Sequence, residues 1–203
     1  MSSPTFDDDG IGPRLTLDEV AIPPHVGEPL AAFYDREGRI ETVREWADAA
    51  EAAIRTERDR APAEADMCVA ADGTHAVESA DETISYVCVL DPLVAAFLHA
   101  RPGTVRSETP EDGAEVAVEI DADGATATPA DAVVSVGVGR DGPEDEPTLE
   151  AAYGQLCAYT HVFASVDEYE RWAAGVDAAT TSYPVETGVA LAREFVRMVD
   201  IEA

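Results

Sequence analysis

The chain has 203 residues, enough for one compact domain or a small domain with an extension. Hydrophobic residues make up 46% of it, which is enough to build a core and excludes a globally disordered chain. Asp and Glu number 42 against 13 basic residues, for a formal charge of -29 at pH 7; that balance leaves no basic footprint for nucleic acid and excludes attraction to an anionic membrane surface.

Every basic residue is Arg, and Lys is absent. The acids are scattered, as at Asp7 to Asp9, Glu51, Asp81, Glu82, Asp121, Asp123 and Glu144 to Glu146. Such a surface repels itself in dilute salt and stays soluble at high ionic strength, where the Debye length falls to about 3 Å at 1 M. The composition points to an extreme halophile with a GC-rich genome. No apolar run approaches the ~18 residues that a membrane span needs, and residues 1–9 lack the basic-then-apolar order of a secretory signal. A soluble cytoplasmic protein is expected. The three cysteines, Cys68, Cys88 and Cys157, are too few and odd in number for a disulfide framework. They are left as reactive thiols, metal ligands or buried small residues.

In chain order, residues 1–30 carry Pro13, Pro23, Pro24 and Pro29 and read as an irregular arm. A helix is predicted over 41–58 from the stripe Val43, Trp46, Ala50 and Ile54, with Pro62 as its stop. Residues 67–70 and 84–89 read as short strands flanking the turn residues Asp72 and Gly73. Asp91 is a candidate N-cap and Pro92 a first helical residue for a helix that carries Leu93, Val94, Phe97 and Leu98 and stops near Arg101, Pro102 and Gly103. Strands are predicted over 104–107, 115–120, 125–128 and 132–138. The second alternates strictly, and turns are marked by Asp112-Gly113 and Asp123-Gly124. Residues 139–147 form an acidic loop. A helix over 148–156, a strand over 159–164, a helix opened by a capping box at Ser165 and Glu168, and a last helix over 184–199 complete the chain. Val185, Val189, Ala192, Val196 and Val199 mark the buried face of that helix. The order describes an α+β protein with a mixed or antiparallel sheet core and flanking helices. An acidic arm and helix over 1–65 precede a domain over 66–203.

Cys88 stands at a predicted strand end with Asp91 three residues on, at a helix start. A helix N-terminus favours thiolate, and a carboxylate beside it can take or deliver a proton. As a bare pattern this is equally a buried thiol followed by a capping carboxylate. Cys157 lies at a predicted helix–strand junction, and His161 alone reads as a packed or capping histidine.

Two contexts extend these readings. Tyr86-Val87-Cys88-Val89-Leu90-Asp91, followed by an apolar helix, resembles the first active-site segment of the alkylmercury lyases. Cys157 followed by His161, Phe163, Ala164 and Ser165 resembles the second. Trp172, Glu194 and Phe195 also stand where that family has similar residues, and the resemblance covers about residues 74–196. It implies an alkylmercury-lyase-like fold and cleavage of the carbon–mercury bond of an organomercury substrate by protonolysis, giving a hydrocarbon and Hg(II). Cys88 and Cys157 would hold mercury, with Asp91 as proton shuttle and an additional contact to the metal. No cofactor is implied beyond a free thiol for product release, with a mercuric reductase or small thiol as acceptor of Hg(II). A non-catalytic Hg or Cu binding protein would use the same cysteines, but would not need Asp91. A relative with merely buried cysteines would bind no mercury.

The chain departs from the family pattern in three places. Its N-terminal part is short and acidic where members carry a longer, winged-helix-like region. Thr109 stands near a further family cysteine, and Ala158 follows Cys157 where a second Cys is often found. Cys68 lies outside the match, either as a strand residue facing the core or as a third thiol that loads or unloads metal.

Overall fold

The computed structural model describes residues 17–78, 82–98, 103–121, 124–140 and 148–198. The first sixteen residues, the helix stop at Arg101 and Pro102, the turn residue Asp123, the acidic loop over 141–147 and Val199 lie outside the described residues.

The expected irregular arm contains a helix. After a 3-10 turn at Leu17–Glu19, α1 runs over Pro24–Phe33. Pro24 sits at the helix start, where the missing N–H has no partner to lose and φ is preset, and the helix continues through the interior Pro29 at the cost of one backbone bond. Val26, Leu30 and Phe33 share its buried face. His25 Nε2–H donates to the Thr180 carbonyl at 3.1 Å and ties α1 to the body of the protein.

Helix α2 spans Val43–Arg58. Thr42 Oγ1 accepts from the Glu45 amide at 3.2 Å, and Glu45 Oε2 accepts from the amide of Glu41, just before the helix, at 2.7 Å, so side-chain oxygens close the helix start from both sides. The stop is Asp59, which flips into the left-handed region at φ 52°, rather than Pro62. Of the predicted stripe, Val43 and Trp46 are buried in the core.

Among the described residues, eight strands form two wholly antiparallel sheets. The larger has the order β2-β1-β3-β4-β5, from β1 (His75–Glu78), β2 (Thr83–Tyr86), β3 (Gly103–Glu108), β4 (Glu115–Asp121) and β5 (Gly124–Thr128). The smaller has the order β7-β6-β8, from β6 (Val133–Gly139), β7 (Val162–Phe163) and β8 (Ala178–Pro184). Every residue of β6 is buried, as expected of a central strand covered on both faces. Helix α3 (Leu90–Leu98) packs against α6 (Val185–Met198), joining the two sheets through one apolar core.

Several local expectations are corrected. Residues 67–70 do not form a strand. Val69 makes one isolated bridge to Tyr86, and the paired strand is β1, which follows. Strand β2 ends at Tyr86, because residues 87–89 bend into α3. Helix α3 begins at Leu90, so Asp91 lies inside its first turn and is not a cap. The strand expected over 159–164 is only Val162–Phe163, preceded by helix α4 (Leu149–Gln155) and a 3-10 turn at Cys157–Tyr159. At the start of α5 (Val166–Ala173), Ser165 Oγ accepts from the Glu168 amide at 3.3 Å, as a capping box requires. The return bond shifts by one residue, with Glu168 Oε2 accepting from the Ala164 amide at 2.8 Å. The other Glu168 oxygen accepts from the hydroxyl of buried Thr109, so this threonine anchors α5 to the β3–β4 turn.

Candidate active site

The site is assembled from three chain segments, each fixed by backbone hydrogen bonds to the next. The first is the irregular stretch after α2. Arg60 grips Asp66 through two bonds of 2.6 and 2.7 Å, and Asp66 also accepts from the Ala63 amide. Burial raises the Asp66 carboxyl, but these bonds outweigh it and hold it below the usual carboxylate range. The loop so braced delivers Met67 and Cys68. The Cys68 amide donates to Asp91 Oδ2 at 2.6 Å, and its carbonyl accepts from the Val87 amide at 3.0 Å.

The second segment is the bend from β2 into α3, which carries Cys88 and Asp91. The third is the 3-10 turn carrying Cys157. Thr160, just beyond it, accepts from the Val89 amide at 3.1 Å, drawing the third segment against the second. Buried Ser135 of β6 completes the placement. Its hydroxyl donates to the Tyr159 carbonyl at 2.8 Å and accepts from the His161 amide at 2.9 Å.

The result brings Cys68, Cys88 and Cys157 together, with all three sulfurs within 4.8 Å of one another. The Cys68 and Cys88 sulfurs are 3.7 Å apart, and Cys68 Sγ accepts the Cys88 amide at 3.4 Å. All three thiols are free, two of them buried. Cys68 is therefore buried, as a core residue would be, yet it belongs to no strand and its sulfur joins the cluster.

Electrostatics divides the thiols. Cys68 is pushed far below the ordinary thiol value because its sulfur accepts hydrogen bonds from Cys157 and Cys88. Cys88 is pushed well up by its bonds to Cys157 and Cys68 and by burial, and Cys157 by its bond to Cys68 and by burial. Of the three sulfurs, Cys68 has the surroundings that most favour the thiolate. The Asp91 carboxyl is also pushed well above its usual range, first by burial and then by the charge and hydrogen bond of Cys68. Asp91 is half-buried at the edge of the open space of the site, and its withdrawal from bulk water favours the neutral acid.

Cys88, Asp91 and Cys157 line an apolar cavity of about 160 Å³. Its walls come from several helices: Phe33 and Tyr34 by α1, Trp46, Ala50 and Ile54 of α2, Val94 of α3, Leu149 and Tyr153 of α4, and Phe195 of α6. The lower half of the α2 stripe thus faces the cavity. Trp46 and Phe195 meet edge-on with ring centres 6.5 Å apart, and beside them Arg44 pairs with Glu194 at 2.7 Å. The Leu149 amide donates to Glu57 Oε2 at 2.6 Å, which ties α4 to α2 over the site.

His161 is a packed histidine, but it has a partner that the sequence reading missed. Its Nε2–H donates to the Ala158 carbonyl at 2.9 Å, so its Nδ1 accepts from His75 Nε2–H at 3.0 Å. His75 is fully buried, and its Nδ1 has no hydrogen-bond partner among the described residues. Only the packing of the two sheets reveals this pair, since the two histidines are 86 positions apart and β1 and β7 belong to different sheets.

Comparison with known proteins agrees with this architecture. The family model described as MerB, alkylmercury lyase, matches residues 69–197. Among solved structures, the crystal structure of the mercury-bound form of MerB2 is similar, with a TM-score of 0.51 and 17% identity, over 76% of this chain and 75% of that one. No curated protein matches the chain. With the family match covering well over half of its length, the chain belongs to the alkylmercury lyase family.

Proposed function

We propose that this protein is an organomercurial lyase in which Cys88 and Cys157 hold the mercury and Asp91 moves the proton. The observation that carries the reading is the placement of two thiols and a neutral-leaning carboxyl on one wall of an apolar cavity. Thiolates are the protein ligands best matched to a soft metal. One cysteine displaces the leaving ligand of R–Hg–X, and its proton departs with that ligand. The second cysteine closes on the metal, and two sulfurs donate density toward the carbon–mercury bond. Asp91, starting as the neutral acid, gives its proton to carbon, the bonding pair becomes the new C–H bond, and Hg(II) stays on sulfur. The proton shed by the second cysteine replaces the one that Asp91 has given up. No electron is gained or lost, so no redox cofactor is called for.

The cavity supports small alkyl or aryl groups as substrate, since an apolar cavity of about 150 Å³ admits benzene. In this reading residues 66–203 form the catalytic unit and the N-terminal helices cover it. A small thiol or a mercuric reductase would collect Hg(II). The charge of -29 supports a halophilic setting. The polar, acidic residues 1–9 support a cytoplasmic one, and no helix among the described residues is long and apolar enough to cross a membrane.

The test is hydrocarbon release. The protein in high salt with excess thiol should convert phenyl- or methylmercury to benzene or methane, followed by gas chromatography. Cys88→Ala, Asp91→Ala and Cys157→Ala should each abolish it. Tight mercury binding with no hydrocarbon would instead identify a metal-capture protein.

A further inference from the structure

We propose that Cys68 is a third mercury ligand, so that Hg(II) left by carbon–mercury cleavage is held by Cys68, Cys88 and Cys157 as a three-coordinate thiolate complex. The proposal rests on the lyase reading for the origin of the metal, and it is tested with Hg(II) alone.

Three observations carry it. The first is geometric. A planar triangle of sulfurs with edges from 3.7 Å to at most 4.8 Å has its corners between about 2.1 and 2.8 Å from the centre, which brackets the metal–thiolate distance of about 2.3 Å found for the smaller zinc ion. A linear two-sulfur complex needs its sulfurs about twice the bond length apart, roughly 4.6 Å on the same scale. Cys68 and Cys88, at 3.7 Å, are too close to span one metal linearly, so Cys68 joins Cys88 and Cys157 as a third sulfur, and three sulfurs around one centre fit with little movement.

The second is preorganisation. The Cys68 amide is committed to Asp91 and its carbonyl to Val87. The sulfur is therefore aimed by backbone bonds at both ends of its own residue. Donor atoms held in this way bind metal without an ordering penalty.

The third is position. Cys88, Cys157 and Asp91 line the cavity, whereas Cys68 does not. The organic group of a substrate enters on the cavity side. Cys68 faces the metal from outside the cavity and can add as the hydrocarbon leaves. Cys68 also precedes the stretch matched by the family model, which begins at residue 69, so its role does not follow from the family match.

The exchange balances without redox change. Three cysteine thiols and one mercury bis-thiolate give the tris-cysteine mercury anion, two free small thiols and one proton released to water. Release runs the same steps backward, with Cys68 available as an internal thiol at each exchange.

The experiment uses the full chain in concentrated sodium sulfate, which avoids chloride binding to the metal, with one equivalent of Hg(II) and no added thiol. Mercury-edge X-ray absorption should count three sulfurs at the longer distance of a trigonal site. The near-ultraviolet spectrum should show the low-energy thiolate-to-mercury band. Cys68→Ser should fall to two sulfurs at the shorter, linear distance and lose the band, with its circular dichroism unchanged. A wild-type site with two sulfurs, or a Cys68→Ser spectrum identical to wild type, would overturn the proposal. The wild-type sulfur count decides it alone if the variant does not fold. A two-sulfur product in a protein that releases hydrocarbon refutes the third ligand and leaves the lyase standing. Three sulfurs in a protein that releases none refutes the lyase and leaves the three-thiol site.

Discussion

His75 should make the protein acid-labile in a way that one substitution can isolate. Its ring is fully buried, and its pKa is lowered from 6.5 to about 3, first by burial, then by neighbouring His161, against a weaker pull from Cys68. The hydrogen-bond pattern explains the direction. His75 gives its only N–H to His161, so protonation would place a second N–H at Nδ1, where no acceptor is found among the described residues. The unfolded chain therefore takes up a proton as pH falls through 6.5, while the folded chain does not until about pH 3. The folded-state value is depressed, so the stability contribution of neutral His75 is complete above pH 6.5 and is lost progressively below it. Each pH unit costs about 1.4 kcal/mol, so acidification from pH 6.5 to 5 should withdraw about 2 kcal/mol through this residue. His161 is lowered too, by burial, and adds in the same direction. The assay is urea unfolding in constant high salt at several pH values for wild type and His75→Gln, which keeps a donor for His161 but cannot titrate. The variant starts from a lower stability, and its slope between pH 7 and 5 should be shallower by about 1 kcal/mol per pH unit. Parallel slopes would refute the reasoning.

Three further outcomes are expected. A Cβ at Gly73 would lie 2.3 Å from the Tyr86 carbonyl oxygen and 2.6 Å from its carbon; Gly73→Ala should therefore cost about 3 kcal/mol in unfolding experiments and weaken mercury binding at Cys88, two residues beyond Tyr86, and a loss below about 0.5 kcal/mol would contradict the packing. Trp46 lines the cavity beside the thiols while Trp172 packs on Phe163 with ring centres 5.0 Å apart; bound Hg(II) should quench tryptophan emission, with Trp46→Phe removing most of the effect and Trp172→Phe retaining it, and quenching that survives Trp46→Phe would place the metal elsewhere. With a net charge of -29, the thermal midpoint should rise steadily between roughly 0.1 and 1 M salt, where screening contracts to about 3 Å, and a flat scan would remove the basis for a halophilic reading.

What could be read along the chain was what is local. The alternation over residues 115–120 became β4, and the valine and alanine spacing at Val185, Val189, Ala192 and Val196 became the buried face of α6. Helix α1 was hidden because proline counts as a breaker, although at a first helical position it is a starter. Strand β8 begins Ala-Ala-Thr-Thr, with no alternation of size or polarity to mark it; its pairing with β6 over seven residues creates it. Cys88 and Cys157 were found because each sits in a motif. Cys68 has no motif, and the stretch that carries it makes only one bridge to its neighbour, so nothing periodic surrounds it.

The same distinction bears on how the site works. Each thiol is placed by bonds between segments: Cys68 by Val87 and Asp91, the Cys88 bend by Thr160, and the turn after Cys157 by Ser135. None of these contacts survives unfolding, so the three-sulfur geometry exists only in the folded chain. A metal that binds it stabilises the fold by an amount that grows with the logarithm of free metal over its dissociation constant. The stabilisation falls as unfolded thiols compete for the ion, and three scattered cysteines compete poorly, because closing loops of 20 and 69 positions between them carries an entropy cost that the folded site has already met. The third thiol therefore contributes most where the protein is folded and free thiol is scarce. When small thiols are abundant, exchange at the same sulfurs returns the metal to solution, which is the behaviour that the proposed lyase would require of its product site.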